Sequence, residues 1–372
     1  MTRVLVVHSG NMYGGVERVL DTLAQAPRFC PDLDPSFALC FEGCPSESLR
    51  QLGAKVTILG DVRVTRLDLV LRARRRFAAT IEAVRPDVIL TPSAWAHTIF
   101  APVARRAGLP LLLWVHDELS GTPWLERLAA RHSPDLMICN SQFTLRAARH
   151  VFPDAPAQVI YCPLAFEEPS TPRSDVRREL QTDDAAMVVI NVARMEPLKG
   201  HLTLIDALAV LRVSTPWVCW IVGGAQRPEE EQYQRSLAER VAAHGLQDRV
   251  RFLGQRSDVP SLLGASDLYC HPNQGTETFG LSIVEALHAG LPVVASGAGG
   301  PEEILAGACG HLLPPGDVQA LAHALDGLLA DNAARRQLAN AGPARAAELC
   351  DPYARLADVA AAMTRVRVKV AA

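Results

Sequence analysis

The sequence lacks the features that mark a membrane-spanning protein or a nucleic-acid-binding protein. No stretch of its 372 residues approaches the roughly 18 consecutive apolar residues of a transmembrane helix. The apolar run near the N-terminus is too short for a signal peptide. The net charge of −3 provides no global basic field for nucleic acid. We therefore expect a globular protein without a membrane span or a nucleic-acid partner.

The cysteines also lack the pattern of a disulfide framework. There are nine of them, an odd number, and no C-x-x-C pair occurs. Cys40 and Cys44 are the closest pair and have no partner cluster beside them. Scattered cysteines within or beside apolar strands are typical of buried, reduced thiols in a cytosolic protein. We expect a cytoplasmic protein on these grounds.

The length favours two domains, because 372 residues exceed what a single core usually holds. Apolar strands alternate with amphipathic helices in both halves, which predicts two doubly wound, Rossmann-like α/β domains. The proline-containing segment Pro163–Thr182 is the predicted linker between them. We expect domains at 1–168 and 169–348, followed by a C-terminal helix over 349–372.

The stretch His271–Ser296 is typical of a strand, a loop, a helix and a second strand, and it carries the carboxylates Glu277 and Glu285. On one continuous helix their spacing would turn them about 80° apart, so we expect Glu277 in the loop and Glu285 inside the helix. The amides of Phe279–Leu281 then lie at a helix N-terminus, which attracts phosphate, and Gly280 leaves room for close approach. Carboxylates accept hydrogen bonds from paired hydroxyls. The stretch therefore predicts a ligand with a diphosphate between two sugars.

The same stretch resembles the E-x7-E signature of glycosyltransferase family 4. Members of that family are retaining enzymes that use nucleotide-sugar donors. They have the GT-B fold, two Rossmann-like doubly wound domains facing across a cleft. The resemblance covers nearly the whole chain and is strongest in the second half. It implies that Glu277 holds sugar hydroxyls and that Glu285 holds the ribose. It also implies that 169–348 binds the nucleotide sugar, that 1–168 lies on the acceptor side, and that the C-terminal helix over 349–372 crosses back to the first domain.

Two cations follow the first strand of the second half. Arg194 and Lys199 lie in a loop bent by Pro197, and Gly200 precedes the next helix. A guanidinium fork and an ammonium group at the carboxyl end of a strand suit a diphosphate. They would also offset the negative charge that grows on a leaving nucleoside diphosphate. The R-x4-K-G pattern matches the family, so we expect both cations to hold the diphosphate.

A glycine-rich loop follows the first strand of the chain. Gly10, Gly14 and Gly15 do not fit G-x-G-x-x-G. Gly10 and Gly15 have the spacing of a P-loop, but Val16 and Glu17 follow them where a P-loop has lysine and serine or threonine. The segment from Gly14 to Arg18 instead resembles the GG-x-E-R loop of family 4. By that resemblance, Gly14 and Gly15 face the donor diphosphate.

Residues at the ends of three further strands complete the predicted site. His116 directly follows the strand Leu111–Val115, at the edge where such sheets bind ligands. The resemblance implies that it orients the sugar or assists near the anomeric carbon. Gly223 ends a second strand and lets a flat nucleobase approach the backbone. Phe252 and Leu253 lie in the loop that contacts the base in the family.

The helix predicted over Leu67–Val84 has an apolar stripe and a cluster of arginines around it. The stripe consists of Val70, Ala73, Phe77, Ile81 and Val84, and the cluster of Arg72, Arg74, Arg75 and Arg76. We expect a helix that covers the sheet and has a solvated face. The alternative is docking on the inner face of an anionic membrane to reach a lipid-linked acceptor.

We predict a retaining, hexosyl-type glycosyltransferase whose donor is a nucleoside-diphosphate sugar, UDP preferred over GDP. The acceptor is a hydroxyl of a glycan, a lipid-linked intermediate or a small molecule. Catalysis is expected to depend on His116, Arg194, Lys199 and Glu277, without a cofactor. No metal is expected, because the cations supply the charge and no carboxylate–histidine cluster has ligand spacing. The alternatives are a nucleotide-sugar 2-epimerase on the same fold and a non-catalytic nucleotide-sugar-binding protein.

Overall fold

The computed structural model describes residues 1–10, 12–306 and 309–371, so Ala372, the end of the predicted C-terminal segment, lies outside it. The chain divides into two units. The first consists of Met1–Ala165 together with Cys350–Ala372, and the second of Phe166–Leu349.

The first unit is built on a sheet of seven strands that all pair in parallel. Its strands are β1 Thr2–His8, β2 Leu33–Leu39, β3 Lys55–Ile58, β4 Val88–Thr91, β5 Leu111–Val115, β6 Leu136–Cys139 and β7 Ala157–Val159. The strand order is β3-β2-β1-β4-β5-β6-β7. This order reverses direction between β1 and β4, and the crevice outside the carboxyl ends of such strands is where doubly wound sheets bind ligands.

Helices cover this sheet and bury its strands. They are α1 Gly15–Ala24, α2 Ala26–Phe29, α3 Cys44–Gln51, α4 Leu67–Val84, α5 Ala94–Arg106, α6 Trp124–Ala129 and α7 Gln142–Ala148. All five residues of β5 are buried, as expected for a parallel strand with helices on both faces.

Helix α4 packs its apolar stripe into the core. Val70, Ala73, Phe77 and Ile81 are all buried, and the ring of Phe77 meets that of Phe100 at 5.0 Å. The stripe therefore covers the sheet, and membrane contact through α4 stays a prediction. No helix in the described part of the chain is long and apolar enough to cross a bilayer.

The second unit has a six-stranded parallel sheet in the order β10-β9-β8-β11-β12-β13. Its strands are β8 Met187–Val192, β9 Trp217–Val222, β10 Val250–Gly254, β11 Leu268–His271, β12 Val293–Ser296 and β13 Gly310–Leu313. Its helices are α8 Arg173–Glu179, α9 His201–Ala209, α10 Pro228–Ala243, α11 Val259–Gly264, α12 Leu281–His288, α13 Gly300–Ile304, α14 Val318–Ala330 and α15 Asn332–Cys350, which ends at the unit boundary. The order reverses between β8 and β11.

The last helix, α16 Pro352–Ala371, packs on the first unit. Its residues Leu356, Val359 and Met363 are fully buried. The ring of Tyr353 meets that of Phe29 edge-on at 5.1 Å.

The α/β fold of two Rossmann-like sheets is the one that the sequence predicts. Six of the strands that the sequence predicts have the predicted bounds: Val88–Thr91, Leu111–Val115, Met187–Val192, Trp217–Val222, Leu268–His271 and Gly310–Leu313. Others differ by a few residues at their ends. For example, the apolar run Phe37–Phe41 predicts a strand with those bounds, whereas β2 covers Leu33–Leu39, because Pro35 interrupts the apolar pattern ahead of that run.

Candidate functional site

Two loops meet at the point where the sheet of the second unit reverses. The loop after β8 carries Arg194 and Lys199, and the loop after β11 carries Glu277. The amide of Gln274 in the second loop donates to the carbonyl of Leu198 in the first at 2.9 Å. Strand order therefore brings together residues that are far apart in sequence.

Gly200 makes this contact sterically feasible. Its backbone has φ 71°, in the left-handed region, and a Cβ atom there would lie 1.8 Å from the carbonyl oxygen of Pro272. The preceding residues Pro197–Lys199 form one turn of 3-10 helix. Only glycine lets the two backbones approach this closely, and the approach aims Lys199 at Glu277.

The carboxylate of Glu277 is the centre of the resulting cluster. Lys199 Nζ donates to its Oε2 atom at 2.7 Å, and Asn273 Nδ2 donates to the same atom at 2.9 Å. His271 Nε2 lies 3.3 Å from Oε2, although not in hydrogen-bonding geometry. The other oxygen, Oε1, accepts no hydrogen bond from the described residues. One side of the carboxylate is thus held by the protein and the other remains available to a hydroxyl.

The backbone of Glu277 is fixed as firmly as its side chain. Its amide donates to the carbonyl of Ala298 at 2.9 Å, and its carbonyl accepts from the amide of Gly300 at 2.7 Å. A Cβ atom on Gly300 would lie 2.4 Å from the backbone of Phe279. The loop therefore behaves as a short strand against the segment after β12, which limits how far the carboxylate can move.

The environment of Glu277 keeps it ionised. Burial by itself would raise the pKa of this carboxyl group, but His271 and the charge of Lys199 outweigh burial and hold the pKa well below its usual range. The side chains of Lys199 and Glu277 are 21% and 15% exposed, so solvent screens the pair less than it screens a surface pair.

Arg194 lies on the same loop as Lys199, but its partner is different. Its Nη1 atom is 2.8 Å from Oε1 of Glu196, and it is about one-third exposed. The amide of Glu196 donates to the carbonyl of Arg194 at 2.8 Å, which makes a tight turn. The two predicted phosphate cations thus share a loop, and each is held by a carboxylate.

Helix α12 begins where the sequence predicts. Gly280 is its N-cap with φ 107°, and Leu281 is its first residue. Phe279 is buried, whereas Glu285 is half-buried on the second turn of the helix. Glu277 thus lies in the loop and Glu285 in the helix, as their spacing predicts.

The predicted base-contacting residues lie beside the same edge. Gly223 has φ 143°, and a Cβ atom on it would lie 1.9 Å from the carbonyl oxygen of Ala193. Its amide donates to the carbonyl of Gly254 at 2.9 Å. Phe252 and Leu253 are half-buried in β10. Close packing of the loops explains why residue 223 is glycine, and contact with a base stays a prediction.

In the first unit, the glycine-rich loop is held by a buried contact between a histidine and a glutamate. Glu17 Oε2 accepts from the amide of Gly14 at 2.8 Å, and Glu17 Oε1 lies 2.9 Å from Nε2 of His8. Burial favours the neutral form of Glu17, but the hydrogen bond with His8 and its charge lower the pKa of the carboxyl group below its usual value. Gly15 begins α1, so this pair determines where the two glycines lie.

His116 follows β5 at the same edge of the first sheet. Burial lowers the pKa of its imidazole to about 3, so the ring is neutral near pH 7. Its Nε2 atom has no hydrogen-bond partner among the described residues. A buried, neutral imidazole with an unused nitrogen can exchange a hydrogen bond with a ligand.

Sequence reasoning did not identify three residues that hold the predicted ones in place. His8, His271 and Asn273 were not singled out, although His8 and His271 end strands as His116 follows one. Their position at carboxyl ends of parallel strands was the available signal. In the described part of the chain, no group of three or more His, Cys, Asp or Glu residues is arranged to hold a metal ion.

Comparison with known proteins gives matches over both halves. The family model for glycosyl transferases group 1 matches residues 172–345. The model for glycosyltransferase family 4 matches residues 13–168.

Curated relatives align with part of the chain. A phosphatidyl-myo-inositol mannosyltransferase of Mycobacterium leprae is 42% identical over 151 residues, 40% of this chain and 38% of the relative. A D-inositol 3-phosphate glycosyltransferase of Salinispora tropica is 36% identical over 170 residues, 44% of this chain and 35% of the relative. The matches thus span well under half the length of these curated relatives.

A solved structure aligns with nearly the whole chain. HepE of Anabaena, crystallised in complex with UDP and glucose, is 28% identical with a TM-score of 0.86, over 98% of this chain and 100% of that one.

Proposed function

The chain belongs to glycosyltransferase family 4 with the GT-B fold, and we propose on that basis that it transfers a sugar from a nucleoside-diphosphate sugar to a hydroxyl acceptor. The curated relatives are a mannosyltransferase and a glycosyltransferase, which supports a hexosyl group as the transferred sugar.

The observation that carries the proposal is the cluster at the strand reversal of the second unit. Lys199 lies 2.7 Å from Glu277, and Arg194 lies on the same loop. The N-terminus of α12 begins beside them. Two cations and a helix N-terminus suit a diphosphate, and a carboxylate with a free oxygen suits sugar hydroxyls.

We assign the diphosphate to Arg194, Lys199 and the amides of Phe279–Leu281, and the ribose to Glu285. Glu277 would accept hydrogen bonds from sugar hydroxyls through Oε1, the oxygen that the described residues leave unpaired. As the bond between the sugar and the diphosphate breaks, negative charge grows on the leaving group. The two cations would stabilise that charge where it develops.

Three residues of the first unit complete the assignment. Gly14 and Gly15 present backbone without side chains to a phosphate. His116 would orient the sugar near its anomeric carbon, acting as a neutral hydrogen-bond partner because of its lowered pKa.

We assign the nucleobase to Gly223, Phe252 and Leu253.

UDP is the proposed nucleotide and GDP the alternative. Support for UDP comes from HepE, whose crystals hold UDP and glucose or UDP-glucose. Retention of the anomeric configuration follows the family resemblance. Metal independence is proposed because Arg194 and Lys199 supply the positive charge that a divalent cation would otherwise bring to the diphosphate.

The test is incubation of the protein with a panel of UDP- and GDP-sugars and detection of the nucleoside diphosphate released by slow donor hydrolysis. We expect one nucleotide series to react and EDTA to leave the rate unchanged. The anomer of the released sugar, read by NMR before mutarotation, tests retention. Glu277→Gln should abolish release.

The two alternatives give different products in the same reactions. A 2-epimerase would change the sugar at C2 with no acceptor present, and NMR of the sugar detects this directly. A binding protein would bind UDP with the same residues but release nothing from any donor or acceptor mixture. Either result would contradict the proposed transfer.

A further inference from the structure

A cavity of about 620 Å³ opens among helices α4, α5 and α6 of the first unit. Its lining comes from these helices and from the segments that flank α4 and α6. No lining residue belongs to a strand or to the loops that carry Gly14, Gly15 and His116. The cavity is therefore distinct from the predicted donor residues of this unit.

The polar part of the lining is strongly cationic. It contains Arg74, Arg105, Arg106, Arg131 and His132, and no carboxylate is among the lining residues. Burial lowers the pKa of the His132 imidazole, and the charges of Arg105, Arg74 and Arg131 lower it further. The positive charges that line the cavity therefore repel one another.

Two of the four arginines are already engaged and two are not. Arg105 pairs with Asp135 at 2.8 Å, and Arg74 donates to the carbonyl of Ile99 at 2.7 Å. The guanidinium groups of Arg106 and Arg131 have no ion pair or hydrogen bond within the described ranges. The rim of the cavity therefore holds two uncompensated positive charges.

One carboxylate of α4 and one of α6 have partners other than these two arginines. Asp68 on α4 pairs with Arg66 at 3.1 Å. Glu126 on α6 is buried and accepts from the amides of Ser120 and Gly121 at 3.0 Å and 2.6 Å. No carboxylate of α4, α5 or α6 forms an ion pair with Arg106 or Arg131 in the described part of the chain.

The remaining wall of the cavity is apolar. Leu67, Ile99, Pro102 and Leu128 line it, and Leu67 is 66% exposed at its edge. The apolar residues and the unpaired arginines thus line one cavity. A ligand that is anionic at one end and apolar at the other would cover both.

We propose that this cavity binds an anionic amphiphile, a phosphate ester with a hydrocarbon chain. Its phosphate lies against Arg106 and Arg131, and its chain lies along Leu67 and Leu128. Phosphate fits two guanidinium groups better than a carboxylate does, because its oxygens point in several directions and accept from both forks. The volume is within the range of small-molecule sites.

The test uses octyl phosphate below its micellar concentration, with binding measured by calorimetry. Arg106→Glu/Arg131→Glu should weaken binding at least about tenfold, because it removes two charged contacts to the phosphate and places two negative charges beside it. Both residues are exposed, so the double variant is expected to fold. The matched control is Arg72→Glu/Arg75→Glu, which makes the same charge change at exposed positions of α4 outside the cavity. Equal affinity of the rim variant and wild type, or an equal loss in the control, would overturn the proposal.

The apolar wall is tested separately. Leu67→Ser should weaken octyl phosphate several-fold and leave inorganic phosphate unaffected. If inorganic phosphate binds as tightly as octyl phosphate, the cavity is an anion site without an apolar component and the proposal is wrong.

The source of the phosphate ester is read from a second arm with vesicles of phosphatidylcholine with or without phosphatidylglycerol. Binding to both octyl phosphate and anionic vesicles, lost in the rim variant, supports a lipid as the source. Binding to octyl phosphate alone supports a soluble ester. Binding to vesicles alone would refute a discrete cavity site. Lys199→Ala should bind octyl phosphate like wild type, so this proposal stands or falls independently of the donor assignment.

Discussion

Replacing Lys199 with alanine should affect stability and donor binding by separate routes. The substitution removes one of the two cations assigned to the diphosphate. It also leaves the Glu277 carboxylate without the charged group that lies 2.7 Å from its Oε2 atom. Both side chains are mostly buried, so neither effect should be erased by solvent screening.

The magnitude of the stability effect follows from what remains around Glu277. Breaking a fully buried ion pair costs about 3–5 kcal/mol, whereas an exposed pair contributes about 0–1 kcal/mol. Glu277 keeps the amide of Asn273 at 2.9 Å and the ring of His271 at 3.3 Å. We therefore expect a loss of about 1–3 kcal/mol in the free energy of unfolding, measured with urea.

The binding effect is measured with UDP, which has a diphosphate but no sugar. Loss of one charged contact corresponds to about 1.5–3 kcal/mol, or roughly a 10- to 150-fold increase in Kd. Glu277→Gln should leave UDP affinity near wild type, because the carboxylate is assigned to sugar hydroxyls. Lys55→Ala, which removes a largely exposed lysine of the first unit, is the control.

A double variant separates direct contact from positioning. If Lys199 touches the diphosphate, Lys199→Ala should weaken UDP by a similar factor in the wild-type and Glu277→Gln backgrounds. If it acts only by neutralising Glu277, the loss should vanish in the Glu277→Gln background. That second outcome, or an unchanged Kd in the single variant, would refute the diphosphate assignment.

Three further predictions concern charge and backbone geometry. The pKa of Glu277 is lowered from 4.5, so the stability advantage of wild type over Glu277→Gln should be complete above about pH 4.5 and shrink below it in urea unfolding. The pKa of His116 is lowered from 6.5 to about 3, so wild type should lose up to about 1.4 kcal/mol per pH unit relative to His116→Asn as pH falls below 6.5; parallel pH profiles would contradict its burial as a neutral ring. Gly200→Ala should lower stability and UDP affinity more than Gly245→Ala, because both positions have positive φ but only residue 200 would meet the carbonyl of Pro272; equal thermal shifts in the two variants would show that the close approach does not matter.

The sequence by itself determined most of the secondary structure and the location of the predicted site residues along it. Strands such as Leu111–Val115 and Met187–Val192 are buried on both faces, so they occur as continuous apolar runs that local pattern defines. Helix Leu67–Val84 has its predicted bounds because its stripe repeats at helical spacing. The placement of Glu277 before a helix and Glu285 within it also followed from spacing.

Only the tertiary structure decided which of these residues meet. Lys199 and Glu277 are 78 positions apart, and nothing local to either predicts a 2.7 Å contact. Their contact depends on strand order, which makes β8 and β11 neighbours, and on the positive φ of Gly200.

The tertiary structure also decided which arginines of the first unit have a partner. Arg74 and Arg106 look alike in the sequence, yet Arg74 reaches a backbone carbonyl of α5 and Arg106 faces a cavity without a partner among the described residues. The residue type determines the charge of a side chain, and its position along the helix determines the face on which it lies. The packing of separate helices determines what lies opposite that face, because the partners come from distant parts of the chain.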